Sequence, residues 1–134
     1  MKMGYVTLYV EDIPAAIAFY GKIFGLTLRF KHESGEYAEM ETGNTVLAFA
    51  HHDLASSLVP EGYQQANISS TPLGMQVGFE VEDVNGLYDR AVEAGAKPVA
   101  EPEDKPWGFK SAMVLDPNGH LVELYHALHP VNPS

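Results

Sequence analysis

From Tyr5 to Val10 the chain alternates, with Val6, Leu8 and Val10 set against Tyr5, Thr7 and Tyr9, the period of two made by a strand with unlike faces. Ile13, Ala16, Ile17, Tyr20, Ile23 and Phe24 then recur at helical spacing, which predicts a helix over 13–24 that buries one stripe. Asp12 can cap its start, Pro14 fits its first turn and Gly25 supplies a left-handed stop. Strand-like stretches follow at 26–32, 36–42 and 45–51. The same order then returns. Val77, Phe79 and Val81 alternate with Gln76, Gly78 and Glu80, and a helix bracketed by Asp83 and Gly95 carries Val84, Leu87, Tyr88, Ala91 and Val92 on one stripe. Strands are predicted at 97–100, 109–115 and 121–126, in the last of which Val122 and Leu124 alternate with Leu121, Glu123 and Tyr125. Each half therefore reads β-α-β-β-β.

The halves also echo each other in sequence. Val10-Glu11-Asp12-Ile13 returns as Val81-Glu82-Asp83-Val84, 71 residues on, and Gly43 to Phe49 matches Gly119 to Tyr125 in pattern, 76 residues on. Two matches in the same order point to an ancestral duplication. The expected organisation is one domain over 1–134, with a first module at 3–51, a linker at 52–72 and a second module at 73–127. The linker contains Pro60, Gly62 and Pro72, and a short helix is expected in it at 53–58.

Composition narrows the function. A 134-residue chain that is 46% hydrophobic can build a core, and without cysteine it has no disulfide, thiolate ligand or thiol nucleophile. There is no apolar run of about 18 residues and no signal-like start, so neither a membrane span nor export is expected, and a cytoplasmic location is. A net charge of −10 with eight scattered Lys and Arg opposes nucleic-acid binding. Such acidity suits a neutral or cationic small molecule. His32, His52, His120, His126 and His129 show no ligand-like spacing and read as surface or hydrogen-bonded side chains.

A first strand running into Val-Glu-Asp-Ile, Phe19-Tyr20 on the next helix, Lys105-Pro106-Trp107-Gly108, and Asp116-Pro117-Asn118-Gly119-His120-Leu121-Val122-Glu123 complete a pattern. Over residues 3–127 it resembles the glyoxalase/bleomycin-resistance/dioxygenase family, also called the vicinal oxygen chelate family. The resemblance implies an α+β fold in which two β-α-β-β-β modules form a curled mixed sheet around a cleft, and a symmetric homodimer. Metal-using members place one ligand on the first and one on the last strand of each module. Carried onto this chain, those positions hold Tyr5, Leu47, Gln76 and Glu123. Leucine cannot coordinate, neutral tyrosine is a poor ligand and a glutamine carbonyl a weak one.

No cofactor is therefore expected. The alternative is one weakly bound divalent metal on Gln76 and Glu123 with help from His51. The implied function is capture of a small molecule, as in the bleomycin-resistance branch, in a cleft lined by Tyr5, Tyr9, Leu47, Phe49, Gln76, Trp107, Glu123 and Tyr125. The alternative is a lyase, isomerase or ring-cleaving dioxygenase with a non-standard metal shell, or a metal-free enzyme with Glu123 as the catalytic base. Glu123 also reads as a plain acceptor for Tyr5 or Gln76. Glutathione-adduct and phosphonate chemistry would call for Arg or Lys forks among the inward positions, and none of the assigned ones is basic.

Overall fold

The computed structural model describes residues 1–128; His129 and the rest of the 1–134 span lie outside them. The order is β1 (Tyr5–Val10), α1 (Ile13–Phe24), β2 (Thr27–Lys31), β3 (Tyr37–Glu41), β4 (Val46–His51), α2 (His52–Leu58), β5 (Gln76–Glu80), α3 (Val84–Glu93), β6 (Lys97–Asp104), β7 (Phe109–Leu115) and β8 (Leu121–Ala127). The strands form two four-stranded mixed sheets, ordered β1-β4-β3-β2 and β5-β8-β7-β6, rather than one continuous sheet. In each, the first and last strands of the module run parallel and the others antiparallel. This is an α+β fold with the same topology used twice. No described helix is long and apolar enough to cross a membrane.

The helices form where the sequence places them. Asp12 accepts the Ala15 amide at 2.9 Å, Pro14 lies in the first turn, and Gly25 closes α1 at φ 67°. Asp83 caps α3 in the same way through the Gly86 amide. The expected short linker helix is α2, which begins at His52. The predicted 97–100 strand extends to Asp104 with two register shifts. Pro98 and Pro102 lack the amide a regular ladder needs, and an edge strand tolerates that loss.

One side of each sheet faces the helices. Leu8, Val10, Leu47, Phe49, Ala38 and Met40 of the first sheet join Ala112, Val114, Val122 and Leu124 of the second in one buried cluster with the apolar stripes of α1 and α3. The modules interlock there: the rings of Tyr20 and Phe24 on α1 lie 6.0 and 4.2 Å from that of Phe79 on β5. The turn between β7 and β8 locks the other contact. Asn118 Oδ1 accepts the amides of Glu11 and Asp12 at 3.2 and 3.0 Å, its Nδ2 donates to the Asp12 carbonyl, and His120 Nε2 lies 2.8 Å from the Tyr9 carbonyl. Asp116, 1% exposed, accepts the Tyr20 hydroxyl at 2.6 Å and the amides of Asn118 and His120. Burial and the Asp116 charge together hold the Tyr20 phenol well above its ordinary pKa, so it remains a donor.

Candidate functional site

The side of each sheet away from the helices carries the candidate chemistry. On β1 it presents Tyr5, Thr7 and Tyr9; on β5, Gln76, Gly78 and Glu80; on β8, Leu121, Glu123 and Tyr125, as the paired registers and alternating burial require. Glu123 lies opposite Gly78 in the parallel pair and opposite Met113 in the antiparallel one. Its Oε2 accepts the Ser111 hydroxyl at 2.6 Å and its Oε1 accepts Gln76 Nε2 at 3.3 Å. Ser111 is 4% exposed. Beside them the Tyr125 ring stacks on Phe109 at 4.9 Å. No Lys, Arg or His pairs with Glu123 among the described residues.

The first module repeats this pairing between β1 and β4. Tyr5 pairs with Val46 and Thr7 with Ala48, whereas Gln76 pairs with Leu121 and Gly78 with Glu123. The structural counterpart of Glu123 is thus Ala48, and not Leu47 as the glycine-to-glycine spacing implies. The turns before β4 and β8 differ by one residue, and one residue of slip moves a side chain to the other face. On the neighbouring strand β3, Glu39 sits opposite Ala48. Tyr37 donates its hydroxyl to Glu39 at 2.7 Å, while Arg29 reaches Glu39 at 3.1 Å and Glu41 at 2.7 Å. Burial first, and Glu39 second, raise the Tyr37 pKa. One basic side chain, Arg29 of β2, thus reaches this face from outside the assigned inward positions, and its fork is occupied by two carboxylates.

The expected lining residues divide accordingly. Tyr5, Tyr9, Gln76, Glu123 and Tyr125 share the open faces. Phe49 does not: it is fully buried against the Tyr20 ring at 5.4 Å, because its register partner Leu8 faces the helices. Leu47 is likewise on the helix side at 4% exposure, although one edge borders the cavity between modules. The ring of Tyr9 packs at 5.0 Å on that of Tyr63, which in turn contacts the buried His52 through its hydroxyl. Burial holds the His52 imidazole below its ordinary pKa. Trp107, 64% exposed, lies in the turn before β7. Ser111, Phe109 and Gly78 were not foreseen, since nothing marks a strand serine until its partner strand is registered.

A cavity of about 610 Å³ opens along the seam, bounded by Met3, Val6, Val46 and Leu47 of the first module and by Met75 to Glu80 of the second. That volume lies within the usual range for small-molecule sites. Four positions would hold a metal in the family. Tyr5, Ala48 (or Leu47 by sequence spacing), Gln76 and Glu123 provide one strong ligand, whereas catalytic sites generally use about three protein ligands. The set does not fit. His51 stands elsewhere, with ligand atoms of Glu36, His51 and Asp53 within 4.8 Å of one another. Its Nδ1 accepts the Asp53 amide at 3.0 Å as the cap of α2.

Fold and site together define a duplicated β-α-β-β-β protein with an open seam, and comparison with known proteins gives that class its family. The model of the Glyoxalase/Bleomycin resistance protein/Dioxygenase superfamily matches residues 2–124, and the chain belongs to this superfamily. It is 29% identical over 129 residues to the uncharacterized protein YraH of Bacillus subtilis, covering 96% of this chain and 100% of that one. A glyoxalase-related enzyme from Fulvimarina pelagi superimposes with a TM-score of 0.84 at 26% identity, over 99% of this chain and 91% of the other. The glutathione transferase FosA of Serratia marcescens is 23% identical over 123 residues, covering 92% of this chain and 79% of that one.

Proposed function

We propose that this protein binds a neutral or cationic, partly aromatic small molecule at the seam and on the adjoining open face of β5, β7 and β8, without a metal in the family's position. The observation that carries this reading is the uncompensated carboxylate of Glu123, fixed by Ser111 and Gln76 beside the Tyr125–Phe109 stack. Aromatic faces offer broad apolar contact and attract cations, worth about 0.5–2 kcal/mol each according to desolvation. Glu123 supplies a counter-charge. An anionic ligand finds little here, since Arg29 is already paired with Glu39 and Glu41. Glutathione transfer, named for the Serratia relative, would need a free cation on this face. The seam cavity is large enough to take the body of such a ligand.

Calorimetric or fluorescence titration with matched charged and uncharged aromatic compounds tests the reading. Cationic and neutral members should bind, and Glu123→Gln should weaken the cations far more than the neutral ones. Selective binding of anions would overturn it. Elemental analysis of protein purified without added metal should also give much less than one zinc, nickel or iron per chain; one tight metal lost on Glu123→Gln would favour metal-dependent catalysis instead.

A further inference from the structure

Gly78 lies in the middle of β5, where neither a positive φ nor a neighbouring backbone calls for glycine. A Cβ there would instead meet side chains: Glu123 Oε1 at 3.4 Å and Tyr125 Cε1 at 3.6 Å. Mid-strand glycine weakens a strand and often marks the close approach of another group. Here that group is the site itself, because the carboxylate and the tyrosine ring edge lean down over the bare backbone of β5. The carboxylate is half-buried, and its orientation is fixed from within the sheet by Ser111 at 2.6 Å and Gln76 at 3.3 Å. Each carboxylate oxygen has two acceptor sites, so one on each oxygen is left for a ligand.

A half-buried carboxylate held in a fixed orientation with free lone pairs rewards short N–H contacts. A quaternary ammonium has no N–H, and its methyl groups keep the charge away from a carboxylate that cannot advance to meet it. Recognition of such cations relies instead on a cage of several aromatic faces. Around Glu123 the aromatic surface is one stacked pair, Tyr125 on Phe109, while Trp107 lies exposed in the turn before β7. Resting on the proposed binding function, and narrowing it, we infer that the notch made by Gly78, Ser111, Glu123 and Tyr125 takes the N–H-bearing head of a protonated amine or amidine, with the apolar remainder of the ligand toward the seam. Ser111 is a positioning residue: it holds the carboxylate, and the ligand meets Glu123.

The experiment titrates the full chain with 2-phenylethylammonium, its N,N,N-trimethyl analogue and 2-phenylethanol. The primary ammonium should bind about tenfold or more tighter than either of the others, the scale of a charge-assisted hydrogen bond. Ser111→Ala should weaken the primary ammonium by a larger factor than phenylethanol and so shrink that preference, whereas general damage to the fold would weaken all three probes alike. A trimethyl analogue that binds as tightly as the primary amine overturns the notch and leaves the broader function standing, as does equal binding of the alcohol. Failure of all three probes to bind, with an aromatic carboxylate binding instead, overturns both.

Discussion

Tyr20 carries its hydroxyl from α1 of the first module to Asp116 of the second, in surroundings that admit no water to replace it. Tyr20→Phe leaves Asp116 with two backbone amides and one unmet oxygen. A loss of about 1–3 kcal/mol in urea unfolding is expected, with Asp116→Asn combined with it losing little more. Phe49→Ala, in the same ring cluster, should cost about 3–5 kcal/mol through a cavity. Phe49 thus acts as a core residue, and unfolding midpoints would show it. In the sequence, the glycine pair at 43 and 119 sets a register that puts Phe49 and Leu47 in the cleft. Strand pairing moves the mark by one, to Ala48. Glu123 and Gln76 were legible because a motif and an alternation both pointed to them. Ser111 and Gly78 were not, since their meaning depends on which atoms the neighbouring strand brings alongside.

At the scale of elements, capping chemistry and apolar period sufficed to draw α1, α3 and most strands, for these signals are local. The Asp116-to-His120 turn is different. Its composition suits a tight turn between two strands, and that much was readable; its bonds to Glu11, Asp12 and Tyr9, more than 100 residues away, were not. Asn118 supplies three hydrogen bonds to the start of α1, so Asn118→Ala should destabilise the chain by about 1–3 kcal/mol. Amide hydrogen exchange should quicken first at the amides of Glu11 and Asp12. Gly119 has φ 91°, and a Cβ on it would lie 2.4 Å from the Asn67 carbonyl carbon. Gly119→Ala must therefore push the linker away from the turn, and greater protease sensitivity near Asn67 is the expected sign. Unchanged cleavage there would show that the linker does not depend on this contact.

For the whole molecule, duplication and family resemblance anticipated the paired topology, but two separate sheets leave four edges, β1, β2, β5 and β6. Edges of this kind invite pairing unless something covers them. Met3, Tyr5 and Met75 stand 69%, 62% and 55% exposed around the mouth of the seam, while Leu28 and Phe30 lie 43% and 45% exposed on β2. That is a large apolar display for a chain with a charge of −10. A two-fold symmetric partner is the commonest way to cover such surface. The protein is accordingly expected to sediment as a homodimer of about twice 14.7 kDa at micromolar concentration. Raising the salt should strengthen the dimer, because screening relieves repulsion between two acidic chains while apolar burial persists. A mass of one chain at every concentration and salt tested would leave these surfaces to the ligand alone.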